Sequence, residues 1–158
     1  MQRGWIVPFG GLKKVKEFLE FYQDHVSLLG ADDPRVENLP PELLQQGGVL
    51  GSLRVLPYGV SMEMTSLFLW EHIDPFIRHM TNGRCYVSRL QVWEHERNSG
   101  FVTVDSATSM ELYNTVLSCE DEFFRDRILN LETRDTKFEF ILPSLVLDAL
   151  NGKFPVAQ

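Results

Sequence analysis

A carboxylate that ends a β-patterned stretch is the first residue whose type and place suggest chemistry. Residues 84–94 alternate, with Tyr86, Ser88, Leu90, Val92 and Glu94 on one face and Cys85, Val87, Arg89, Gln91 and Trp93 on the other. Leu90 and Val92 mark the first face as the buried one, and a carboxylate there is costly unless donors satisfy it. A planar ligand edge with two adjacent N–H donors, such as the amide and amino groups of a pterin or guanine, satisfies both oxygens at once. The plainer alternatives are a strand-end glutamate reaching solvent, or one paired with Arg89 or Arg97.

Asp24-His25 falls at the end of a helical pattern, where an imidazolium is favoured and an adjacent carboxylate can orient or polarise it. That pairing is general acid/base machinery, although adjacent Asp-His pairs also arise by chance. Ser61-Met62-Glu63 opens a second helical pattern and either presents backbone N–H groups to a ligand or serves only as a cap. His72 and His79 share a helical face seven residues apart with no third ligand nearby, so they read as surface or rim histidines. His95 should point away from Glu94. Cys85 and Cys119 have neither metal spacing nor an adjacent base and read as buried structural thiols. No phosphate-binding loop, dinucleotide fingerprint or zinc-finger spacing is present.

Positioning these residues falls to a handful of elements. Arg3 to Val7 reads as the end of an extended segment stopped by Pro8. Leu12, Val15, Phe18, Leu19 and Tyr22 recur at helical spacing and predict an amphipathic helix over 11–23. Residues 30–51 hold Pro40-Pro41 and Gly47-Gly48 and read mostly as loop, with a possible helical turn from Pro41 to Leu44. Leu53 to Leu56 is a short extended piece. The second helix runs from Ser61 along an apolar stripe of Leu67, Trp70, Ile73, Phe76, Ile77 and Met80, and Asn82-Gly83 ends it. A turn at Arg97-Asn98-Ser99-Gly100 returns the chain into Phe101 to Val104, making a hairpin. Beyond residue 106, Met110 to Ile128 has helical spacing, Phe138 to Phe140 suits a strand, and Leu145 to Leu150 a last short helix.

Composition narrows the classes. With 158 residues the chain suits one domain, and 44% apolar residues give it a core, which excludes global disorder. A net charge of −7 removes the basic footprint of a direct nucleic-acid binder. Two cysteines are too few for a disulfide scaffold and point to a reducing, cytoplasmic setting. No apolar run approaches the ~18 residues of a membrane span, and no signal-peptide core is seen, so no membrane partner is expected.

Four short motifs, in order, resemble one family. Gly4 to Lys13 (Gly4-Trp5-Ile6-Val7-Pro8-Phe9-Gly10-Gly11-Leu12-Lys13) resembles the "G-hydrophobic-V-x-D-F-x-x-L-K" segment of the 6-pyruvoyl-tetrahydropterin and 6-carboxy-tetrahydropterin synthases. Asp24-His25 with Leu28 and Leu29 looks like their "D-H-x-x-L", and Ser61-Met62-Glu63 like their "T-x-E" helix start. Val92-Trp93-Glu94, followed by His95-Glu96-Arg97-Asn98-Ser99, looks like their "V-x-E" strand end, in the form "E-H-E-x-N-S" of a longer-looped bacterial or viral branch.

The resemblance implies an α+β tunnelling fold (T-fold): an antiparallel sheet, four-stranded in the family, with two helices on one face. Residues 1–105 would form the pterin-synthase-like portion, here without the N-terminal hairpin, and 106–158 an extra C-terminal α/β tail of unassigned role. It implies Glu94 as pterin anchor, Asp24 and His25 as the residues assisting proton transfer, and Ser61, Met62 and Glu63 as lining of the pterin pocket. It further implies a homo- or hetero-oligomer with sites between subunits. The activity implied is conversion of dihydroneopterin triphosphate by proton shuffling and elimination over zinc, in pterin or 7-deazaguanine (queuosine) synthesis.

Against that pattern the chain has no His-x-His, no cysteine at the nucleophile's place, and Pro8 where the family has Asp. Zinc is therefore expected only with ligands from another chain or from a missing N-terminal region. A fragment or a split subunit is the favoured explanation, with a degenerate relative also open. Two rivals remain: a non-catalytic protein-interaction module on the same fold, and a T-fold protein that binds purine-like ligands without zinc chemistry.

Overall fold

The computed structural model describes residues 9–30, 33–35, 38, 52–56 and 59–132. Its elements are α1 (Leu12–Gln23, entered through a 3-10 turn, Phe9–Gly11), β1 (Val26–Gly30), β2 (Ser52–Leu56), α2 (Met62–Met80), β3 (Arg89–His95), β4 (Asn98–Thr103), α3 (Ser106–Leu117) and α4 (Glu122–Leu129). No described helix is long and apolar enough to cross a membrane.

Everything is arranged around α2. Ser61 is extended (ψ 162°) and its hydroxyl accepts from the Met64 N–H at 3.2 Å, so the helix starts at its side-chain cap. Every residue from Met64 to Arg78 is buried, which makes this a helix covered on all sides rather than an amphipathic one. It contacts β3, β4, α3 and α4. On its other flank, Phe18 and Tyr22 of α1 lie over Phe68, at ring separations of 6.4 and 5.3 Å. Gly11, just before α1, lies against Met80, so α1 runs antiparallel to α2. The core has two lobes. Met64, Leu67 and Trp70 meet Val102, Val104, Leu112 and Val116 in one, and Phe68, Ile73 and Phe76 meet Phe18, Tyr22 and Leu56 in the other. Each such side chain contributes about 1.5–3 kcal/mol by leaving water.

β3 and β4 form an antiparallel pair, and Leu90 and Val92 on its inner face pack on the core made by α1 and α2. Helices on one side of an antiparallel hairpin give the α+β, T-fold-like arrangement that the motifs implied; among the described residues that sheet has two strands. β1 and β2 form a second, parallel pair, with Val26 opposite Ser52 and Gly30 opposite Leu56.

Several expectations need correction. The strand begins at Arg89, not residue 84, and before it the inward residues are Cys85 and Val87. The reason is that Val87 is bound to the helix: its N–H donates to Asp74 Oδ1 (2.7 Å) and its carbonyl accepts from Trp70 Nε1 (2.8 Å). The hairpin turn is Glu96-Arg97, and Asn98 to Gly100 already belong to β4. The helical stretch from Met110 to Ile128 is two helices, α3 and α4, the first starting earlier on an Asp105 cap that accepts from Thr108 N at 2.7 Å. β1, and its pairing with β2, was not anticipated. The proposed strand before Pro8, the helical turn at Pro41, and the elements at 138–140 and 145–150 lie outside the described residues.

Candidate functional site

Because α1 and α2 are antiparallel, the C-terminal end of α1 and the N-terminal end of α2 fall at the same end of the molecule. Asp24 caps α1, its N–H donating to Glu20 O at 3.2 Å, and His25 then turns the chain in the left-handed region at φ 51°. That conformation is uncommon for a residue with a Cβ. The His25 Nε2 and Asp24 Oδ1 atoms lie 3.6 Å apart, both side chains largely exposed. This is ion-pair proximity without a formed hydrogen bond.

The hairpin's end reaches the same region through Gly100. A Cβ on Gly100 would lie 2.5 Å from the Met62 carbonyl carbon and 2.6 Å from Glu63 N, so β4 touches the first turn of α2 backbone to backbone. Gly100 pairs with Val92, and Glu94 follows two residues along β3. The pairing is regular to Trp93 opposite Ser99, then resumes with His95 opposite Asn98, which leaves Glu94 as the extra residue of a β-bulge. Bulges re-aim a side chain at strand ends. Asn98 Nδ2 donates to Glu94 Oε2 across the hairpin.

Glu94 is exposed, which corrects the expectation of a buried carboxylate. Leu90 and Val92 are half-buried, but Gly100, the partner of Val92, already lies against the first turn of α2, and past that pair no described helix continues beneath the strand. Arg89 is not its partner; the guanidinium lies over the Phe101 ring at 4.1 Å. Ser61 and Glu63 are exposed and Met62 is half-buried at the helix start. A shallow groove on the outer face of α3, lined by Ala107, Met110, Glu111 and Asn114, shares no residue with this region.

His72 is not a rim residue: it is buried under Phe18 (5.5 Å between rings), and its Nδ1 lies 2.7 Å from Phe68 O, so that nitrogen carries the proton. Burial pulls its pKa down from 6.5 to about 4. His79 is exposed beside Tyr113 (3.1 Å), and His95 Nδ1 accepts from Arg97 N at 3.2 Å. Cys85 and Cys119 are buried and form no disulfide. No group of three or more His, Cys, Asp or Glu suited to a metal exists among the described residues, which include all four histidines, so they do not fit a zinc ion.

The bulge at Glu94, the Asn98 contact and the close approach of Gly100 were missed in the sequence. The one available signal was a glycine inside the returning strand, which the turn assignment absorbed.

No curated protein and no solved structure matches the chain. A family model described as 6-pyruvoyl tetrahydropterin synthase matches residues 1–105, a span that contains α1 through β4 and every candidate residue at this end of the molecule. With most of its length inside that match, the chain belongs to the 6-pyruvoyl tetrahydropterin synthase family.

Proposed function

We propose that the chain binds a pterin at Glu94 and takes part in 6-pyruvoyl- or 6-carboxy-tetrahydropterin synthase-type chemistry on dihydroneopterin triphosphate, within pterin or 7-deazaguanine synthesis. This is the specific form of the pterin-related, synthase-like function that its family membership supports. The observation that carries it is the bulge: the one residue extruded from the hairpin's register is the carboxylate, exposed on a strand whose partner touches the start of α2. Glu94 accepts the ring amide and amino N–H groups, one on each oxygen, while Asn98 holds the carboxylate from the side. The first turn of α2, Ser61 to Glu63, borders the ring with its backbone. His25 moves the proton, and Asp24 steadies the imidazolium formed when it does.

An exposed carboxylate grips a ligand well only once water is excluded, so a second subunit, of the same or another kind, closes the site. The described residues provide no zinc site, and no step here is routed through one; zinc ligands would come from another chain or from outside the described residues.

Titration with neopterin, followed by its intrinsic fluorescence, tests the reading. Glu94→Gln turns one acceptor into a donor and is expected to weaken binding 10- to 100-fold, as loss of a charge-assisted hydrogen bond of about 1.5–3 kcal/mol implies. Unchanged affinity would overturn it. A second reading, a non-catalytic interaction module, is favoured by Trp93 and Phe101, which are 59% and 51% exposed on the strands of the hairpin. It predicts partner binding that ignores substitution of Asp24 or His25.

A further inference from the structure

At Val102 in β4, and at Val104 just beyond it, the helix is held off by side chains that fill the space against Met64, Leu67 and Trp70. At Gly100 that spacer is missing, and the strand backbone meets Met62 and Glu63 directly. Ser66, fully buried one turn into α2, seals this contact. Its hydroxyl lies 2.8 Å from Met62 O, inside the helix, and 2.9 Å from Gly100 O, on the strand, and shares its one proton between the two carbonyls. The helix start is thereby drawn toward the strand that pairs with β3, about 7 Å of strand short of Glu94.

We infer that Ser66 and Gly100 are positioning residues for the pterin site: neither touches ligand, and together they set the spacing between the α2 N-terminus and the bulged Glu94. The inference rests on the pterin reading for its ligand but not for its geometry. A ring held at one edge by Glu94 and bordered by Ser61 to Glu63 fits only one separation of the two, and a rigid backbone contact fixes a separation better than a flexible side chain does.

In the full chain, Gly100→Ala is expected to weaken neopterin at least tenfold, because the added methyl must push Met62 away. Ser66→Ala, which keeps the shape and removes the bond, is expected to weaken it three- to tenfold. Ile128→Val loosens the same core away from the site, and is expected to lower the melting temperature while leaving neopterin affinity within twofold. Equal loss of affinity in Ile128→Val and Ser66→Ala, at equal loss of melting temperature, would reduce Ser66 to packing and overturn the inference. Should the wild-type chain bind no neopterin, the pterin reading falls while this one is decided by distance. Nitroxide labels attached through Glu63→Cys and Glu94→Cys are expected to give a narrow separation that broadens or lengthens when Ser66→Ala or Gly100→Ala is added. The native cysteines are buried and do not compete for label. An unchanged distribution would overturn the inference.

Discussion

Two carboxylates on elements that touch show opposite designs. Asp74, in the middle of α2, is fully buried and has a donor for each oxygen: Val87 N–H on Oδ1 at 2.7 Å and Ser109 Oγ on Oδ2 at 2.5 Å. Ser109 in turn accepts from Arg78 Nε at 2.9 Å, and Arg78 reaches Gly83 O and Ser106 O at 2.7 and 2.9 Å. Glu94 is exposed, extruded from its ladder, and receives one side-chain donor from Asn98. Burial explains the difference. A buried charge must be satisfied by the protein itself, and once satisfied it has nothing left to offer a ligand. The carboxylate proposed for recognition is the one whose capacity is left over.

The largest test of that contrast compares removal of each. Asp74→Ala leaves the Val87 N–H and the Ser109 hydroxyl without their acceptor and removes a carboxylate that the Arg78 charge favours, so a loss of about 3–5 kcal/mol is expected in urea unfolding. Glu94→Gln should change the same quantity by less than about 0.5 kcal/mol, as exposed substitutions do. Comparable losses would erase the distinction between a structural and an available carboxylate.

A smaller effect sharpens it through pH. His72 is neutral in the fold, with its pKa pulled from 6.5 to about 4 by burial. The unfolded chain therefore binds the proton first, and stability falls as pH drops from about 6.5 toward 4, by up to ~1.4 kcal/mol per unit. Burial also pushes the Asp74 carboxyl up from 3.8, which acts in the opposite sense: that contribution weakens the fold as pH rises above 3.8. Only a difference between variants isolates the histidine. His72→Phe keeps a ring between Phe18 and Phe68 and cannot titrate. It should match the wild type near pH 7 and exceed it by ~2 kcal/mol at pH 5, read from urea midpoints. Parallel pH profiles would show that His72 is not held neutral.

These contrasts also mark how far the sequence could be read. α1 and α2 were legible because helical spacing, the Ser61 cap and Asn82-Gly83 are local signals, and Asn82 (φ 51°) and Gly83 (φ 79°) end α2 in the left-handed region as their types suggest. The residue types of the candidate site were legible for the same reason. Pairing was not. The β1–β2 ribbon joins strands far apart in sequence, and the bulge exists only in the register between β3 and β4. Asn98-Ser99-Gly100 has turn composition, yet Gly100 is a glycine because Met62 leaves no room for a Cβ. His72 and His79 share a helical face, but α1 covers the first and leaves the second exposed, a distinction that spacing alone does not contain.

The smallest effect concerns the other end of the comparison, where the backbone rather than a side chain departs from the ordinary. His25 sits at φ 51°, the position after a helix where glycine is the usual residue. The left-handed region costs a residue with a Cβ about 1 kcal/mol, and an exposed imidazole 3.6 Å from an exposed carboxylate returns little of it. His25→Gly is therefore expected to gain up to about 1 kcal/mol in urea unfolding, part of the relief being offset by the freer unfolded chain. Neopterin affinity should stay within twofold, since the anchor proposed for the ring is Glu94. His25→Asn tolerates the same φ and cannot relay a proton at neutral pH, and it should likewise leave both quantities near the wild type. A loss of more than about 1 kcal/mol in His25→Gly would mean that the imidazole holds the turn together. Strain would then serve the fold here as burial does at Asp74, and the contrast between a structural centre and the exposed end proposed for chemistry would lose this half of its support.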